Sequence, residues 1–204
     1  MEKTKDIIII TLALFLIVSA GINIFYIGYL GRSINNIGGN AVYEKKIAEG
    51  KVIIEEFSDF QCPYCAMAEP LLKSLKEEYG DKIEIIYKHF PLDFHKYAEK
   101  SSEASECARD QNKFDEYKSI LFQNQKSLDV ESLKSYASAL KLDAERFNKC
   151  LDSGEKYQVV QNDLMDGISK GVGGTPSFFI NGKSFDGPRQ YSEFKKVIDG
   201  ELSR

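Results

Sequence analysis

"FSDFQCPYCAMAEPLLKSL", Phe57 to Leu75, places two cysteines two residues apart, where an apolar run gives way to a helical pattern. Pro63 suits the first helical position, where its missing N–H would have had no partner. Ala66, Met67, Leu71, Leu72, Leu75 and Tyr79 then recur at helical spacing. Cys62 therefore falls at the N-cap and Cys65 one turn inside. Free backbone amides and the positive end of the helix dipole face the first sulfur, which predicts a Cys62 thiol that ionises readily. Such a sulfur both attacks disulfides and leaves them easily, and Cys65 is placed to resolve a mixed disulfide.

Two other uses of the pair fit less well. A zinc site needs three or four ligands, usually including a second close pair, whereas Cys107 and Cys150 are isolated and the histidines are His89 and His95 alone. A structural Cys62–Cys65 staple would close a very small loop and constrain the unfolded chain little. The redox reading is the expectation, with neither a metal nor a cofactor.

On either side of the pair, "KVIIEEF" and "KIEIIYKHF" are β-branched and aromatic runs bounded by Gly50 and by Gly80-Asp81. They predict strand, helix, strand. From about residue 95 to 170 the pattern turns to short amphipathic helices, seen in Phe114, Tyr117 and Leu121, then in Leu133, Tyr136, Ala137 and Leu140. Asp129 and Asp143 precede such runs and read as N-caps. After Gly173-Gly174, "PSFFI" and "KSF" flank Asn181-Gly182, a strong hairpin signal. Tyr191, Phe194, Val197 and Ile198 predict a last helix from Gln190 to Leu202.

The whole chain, 204 residues with 43% hydrophobic and 28% charged, suits one globular domain. A formal charge of −4 supplies no basic stripe to neutralise phosphates, so no nucleic-acid partner is expected. Ile7 to Leu30 carries no charged side chain, and about 24 residues at ~1.5 Å each reach ~36 Å, enough to cross a membrane core of ~30 Å. Val18-Ser19-Ala20 offers the rival reading of a cleaved signal peptide, but apolar residues continue past it, and Tyr26 and Tyr29 suit an interfacial belt. Lys3 and Lys5 before the segment, against Arg32 after it, predict a cytoplasmic N-terminus and an extracytoplasmic domain. Residues 31 to 41 read as a flexible tether, with the folded domain from 42 to 204. Export would let disulfides form and persist.

The order strand, Cys-Pro-Tyr-Cys helix with Pro70, strand, then Gly174-Thr175-Pro176 opening a hairpin resembles the thioredoxin superfamily. With a helical block between Cys62 and Pro176, and with "EFSDFQCPYC", "HFPL" and "GTPSFFING", the chain from about Val42 to Arg204 resembles the DsbA-like thiol:disulfide oxidoreductases. The resemblance implies an α/β thioredoxin fold with an inserted all-helical domain, preceded here by one transmembrane helix. It implies that Pro176 is cis and lies near Cys62, and that Pro63, Tyr64, Thr175 and Pro176 meet an extended substrate. An ordinary trans turn proline is the alternative at Pro176. The best-known oxidases of the family have histidine where this chain has Tyr64, which predicts a milder oxidant.

By the same resemblance Glu56 carries protons for Cys65; otherwise it is a solvated charge at a strand end, with Glu55 on the opposite face. Some DsbA-like members place cysteines as Cys107 and Cys150 stand here, which implies a structural disulfide worth roughly 4 kcal/mol; two buried free thiols are the competing reading. His89 and His95 read as surface or strand-end residues not aimed at Cys62. Phe57, Phe60, Phe178 and Phe179 read as core by alternation, with Phe60 and Tyr64, near the active-site rim, also candidates for contact with substrate.

The functional expectation is a monomeric, membrane-tethered oxidase that introduces disulfides into exported proteins with free thiols and is restored by a membrane partner. Running the exchange backwards would make a reductase from the same residues, recycled by a membrane reductase. A non-catalytic chaperone or binding module is the rival from another class.

Overall fold

The computed structural model describes residues 47, 49–185 and 190–204. The anchor at Ile7 to Leu30, the tether and the domain start at Val42 lie outside the described residues. No helix among the described residues is long and apolar enough to cross a membrane. The chain divides into Met1–Glu49 and Gly50–Arg204, and the fold described is that of the second unit.

Strand β1 (Val52–Ser58) leads through helix α1 (Pro63–Tyr79) and a 3-10 turn (Gly80–Lys82) to β2 (Ile83–His89). Five helices follow: α2 (Ala98–Arg109), α3 (Phe114–Gln123), α4 (Val130–Ala139), α5 (Ala144–Ser153) and α6 (Tyr157–Ser169). Strands β3 (Ser177–Ile180) and β4 (Lys183–Ser184) and helix α7 (Tyr191–Leu202) complete the order. The sheet runs β2-β1-β3-β4, with β1 parallel to β2 and antiparallel to β3. This is the thioredoxin-like α/β arrangement with added helices that the motifs imply.

Local chemistry accounts for several of the boundaries. Asp129 and Asp143 cap α4 and α5 by accepting from Ser132 N–H and Arg146 N–H, satisfying amides that have no partner inside the helix. Asn181 and Gly182 both take positive φ, 48° and 74°, as a two-residue hairpin turn demands. Gln190 and Glu193 form a reciprocal capping box at the start of α7.

Every residue of β1 is buried, because a central strand is covered on both faces. Period-two alternation sends Val52 and Ile54 into a core with Leu72 and Leu75 of α1, Phe178 of β3 and Phe194 of α7. Phe57 faces the other way, toward Phe90, Phe179 and α6. Gly167 is required there: a Cβ would sit 2.6 Å from the Phe90 ring and 2.9 Å from that of Phe57. Gly167→Ala should therefore lower the unfolding free energy by about 2 kcal/mol in urea denaturation, overpacking outweighing the better helix propensity of alanine.

The third core lies within the helical block and is continuous with the redox helix, since Cys62, Cys65 and Phe60 pack with Tyr117, Leu121, Phe147 and Leu151. Cys107 of α2 and Cys150 of α5 are joined there by a disulfide.

Candidate active site

The start of α1 brings together the residues the motifs singled out. Cys62 is the N-cap, Pro63 opens the helix, and both cysteines are reduced and buried. The Thr175–Pro176 peptide bond is cis. Cys62 Sγ lies 3.3 Å from the Thr175 carbonyl oxygen, so the loop before β3 touches the first sulfur. Pro63 and Tyr64 stand exposed beside the pair, Tyr64 by 62%, as does Met67 one turn on.

Electrostatics separates the two sulfurs. The Cys62 thiol is lowered to about 5, first because the Cys65 thiol donates to its sulfur; burial opposes this, and the Thr175 side chain and the amides of Cys65 and Tyr64 add to the lowering. The helix amides emphasised by the motif thus act, but the second cysteine contributes more. Cys65 moves the opposite way: the Cys62 sulfur holds its proton in place and burial adds to that, raising it well above the ordinary thiol range. Below neutral pH the pair already holds one thiolate and one thiol.

Glu56 is fully buried on the α1 face of β1, which excludes the solvated strand-end reading. Neither of its oxygens has a hydrogen-bond partner, nor have the buried hydroxyls of Ser58 and Tyr87. Burial, then the nearby Glu69, push the Glu56 carboxyl up to about 8, against the pull of Lys118. Lys118 of α3 pairs with Glu69 of α1 at 2.8 Å and lies over the Tyr87 ring, so the helical block contributes a cation to this site. Glu55 faces the other side and is likewise buried, paired with Lys170 at 2.8 Å.

Two expectations need correction, and that for His89 holds with an addition. Phe60 is fully buried, stacked on Tyr87 and against Phe122, so its core reading holds and its contact with substrate at the rim does not. His89 ends β2 as expected but is buried, bonded through Nε2 to Glu106 at 2.8 Å. His95 is no plain surface residue: its Nδ1 lies 2.8 Å from Asp59 Oδ2.

Sequence reasoning missed the residues that hold the redox loop. Gln125, after α3, donates to the carbonyls of both Phe60 and Cys62 at 2.8 Å. Gln61 accepts from the Tyr97 amide, and Asp59 bonds the 92–95 segment. A lone Gln in a loop carries no periodic signal. The acidic residue three positions before Cys62 was the sign available for Asp59.

A Cys-X-X-Cys pair at a helix start, a cis proline against it and a β-α-β core with inserted helices define a thioredoxin-fold protein of the DsbA-like kind. Comparison with known proteins agrees: the Thioredoxin_4 family model, described as thioredoxin, matches residues 47–200, and the chain belongs to this family. The Na(+)/H(+) antiporter NhaA 3 of Salinispora tropica is 36% identical over 141 residues, covering 69% of this chain and 22% of that protein. The chain thus spans about a fifth of the length of the curated relatives it matches. Among solved structures, alpha-DsbA1 of Wolbachia pipientis superposes with a TM-score of 0.66 at 25% identity, over 75% of this chain and 86% of that one. ScsC of Proteus mirabilis superposes with a TM-score of 0.64 at 26% identity, over 75% and 68%.

Proposed function

We propose that the protein is a thiol:disulfide oxidoreductase that introduces disulfides into exported proteins through Cys62 and Cys65. The observation that carries this reading is the split between the two sulfurs, with Cys62 lowered to about 5 beside the Thr175 carbonyl and Cys65 holding its proton. In the oxidised enzyme a substrate thiolate attacks Cys62, the Cys62–Cys65 bond breaks, and Cys65 leaves. A second substrate thiolate then attacks the mixed disulfide and releases Cys62 as a thiolate. A thiolate stable well below neutral pH favours the reduced enzyme, and a stabilised reduced form makes the disulfide the stronger oxidant. This favours the oxidase over the reductase direction.

Glu56 serves as the proton carrier for Cys65, since a carboxyl at about 8 exchanges protons near neutrality and its oxygens are committed to no other partner. Pro63, Tyr64, Thr175 and Pro176 surround the accessible face of Cys62 and form the substrate edge. Residues 7–30 anchor the domain outside the cytoplasmic membrane as a monomer, where a membrane oxidase reoxidises the pair.

Cys65→Ser in cells is the test. The variant should accumulate mixed disulfides through Cys62, seen as bands above the monomer on non-reducing gels and absent from Cys62→Ser/Cys65→Ser. A holdase without exchange chemistry would show no difference between the two. With purified protein, oxidation of a reduced, unfolded client faster than reduction of insulin is the result expected of an oxidase.

A further inference from the structure

Asp59 lies between β1 and α1, and its carboxylate is completely buried. Oδ1 accepts from Gln61 N–H at 2.6 Å, Oδ2 accepts from Leu92 N–H at 2.8 Å, and His95 Nδ1 lies 2.8 Å from the same Oδ2. An ionised carboxylate out of water costs several kcal/mol unless its oxygens are satisfied, and donors on both sides satisfy this one. One donor belongs to the redox loop. The other two belong to the segment that carries the chain from β2 into the helical block.

The consequence falls on the main chain of Asp59. Its N–H points at Cys65 Sγ, 3.5 Å away, and its carbonyl accepts from Cys62 N–H at 3.1 Å. A single residue therefore contacts the sulfur of one cysteine and the amide of the other, and its side chain is what fixes it. A sulfur accepts a stronger hydrogen bond as an anion than within a disulfide. The Asp59 N–H accordingly matters most when Cys65 carries charge, and among the groups near Cys65 it favours the thiolate.

We infer that Asp59 and His95 form a positioning pair for thiol exchange, holding the Asp59 amide on Cys65 so that Cys65 departs as a stabilised thiolate. This rests on the exchange reading above. In the step concerned, the substrate sulfur forms a bond to Cys62 Sγ as the Cys62–Cys65 bond breaks. The electron pair of the broken bond passes to Cys65 Sγ, which accepts the Asp59 N–H hydrogen bond and is then protonated. Two one-residue contacts thus link the helical block to the leaving group, and the substrate thiols supply all the electrons.

The test uses the full chain with glutathione as the attacking thiol. His95→Phe keeps a ring but removes the nitrogen that faces Asp59; His95→Gln retains an N–H donor. Reduction of the Cys62–Cys65 disulfide should slow by about tenfold in His95→Phe, the factor that corresponds to loss of one such hydrogen bond, and recover mostly in His95→Gln. Asp59→Asn should slow it in the same sense. Alkylation of reduced Cys62 by iodoacetamide, which does not involve Cys65 leaving, should stay within about twofold of the parent in both His95 variants. Unchanged disulfide reduction in His95→Phe would overturn the inference. So would equal slowing of reduction and alkylation, which marks a loosened loop. A parent protein that fails to exchange with glutathione would instead remove the exchange reading itself.

Discussion

Replacing Cys107 and Cys150 together by serine should lower the free energy of unfolding by about 4 kcal/mol, measured as a shift of the urea midpoint at constant slope. The bond closes a separation of 43 residues between α2 and α5, and the cost is the loop-closure entropy returned to the unfolded chain. Both sulfurs are buried in the core that also contains Cys62 and Cys65. Near the native state that core is held by Tyr117, Phe147 and Leu151 as well, so the variant should still fold. Its exchange rate per folded molecule should be unchanged below the new transition. A loss of exchange at low temperature would show instead that the disulfide shapes the redox loop.

Glu56→Gln should change the pH dependence of stability by a comparable amount. Unfolded, the carboxyl ionises near 4.5; folded, burial delays ionisation to about 8. Between these values the folded protein binds the extra proton, so the parent loses stability as pH rises from about 4.5 and the loss is complete above about 8. The amide cannot ionise. The stability difference between variant and parent should therefore move in favour of the variant by on the order of 3 kcal/mol between pH 5 and pH 8. Denaturant titrations of the two reduced proteins at both pH values check this, and the ionisation of Cys62, common to both, drops out of the difference. A parallel pH dependence in the two proteins would mean that Glu56 ionises as an ordinary surface glutamate.

The two predictions concern residues whose surroundings no local pattern reports. β1 was readable as a strand from its β-branched run, and its neighbours from Asn181-Gly182 and the Pro63 helix start. Yet the alternation that separates Glu55 from Glu56 leaves open whether either face meets water. Helix α2 is the plainest case. Its residues Ser101, Ser102, Glu103, Ser105 and Glu106 look like a solvated face and are all buried. Ser101 and Ser102 return their hydroxyls to carbonyls one turn back, Glu103 pairs with Lys100, and Glu106 meets His89 and Arg109. Each polar group is satisfied by a partner, some from distant elements, and burial follows from that satisfaction.

Short-range chemistry settles what adjacent residues can read off one another: a proline that starts a helix, aspartates that cap it, an asparagine-glycine turn, and two cysteines one helical turn apart. Those signals specified the strands, the helices, the redox pair and the fold they assemble. The proton affinity of Glu56, the opposite proton affinities of Cys62 and Cys65, the burial of Phe60, and the grip of Asp59, Gln125 and His95 on the redox loop arose when remote segments came together. Desolvation and hydrogen bonding act over a few ångströms of space, and residues at that distance here are often tens of positions apart along the chain.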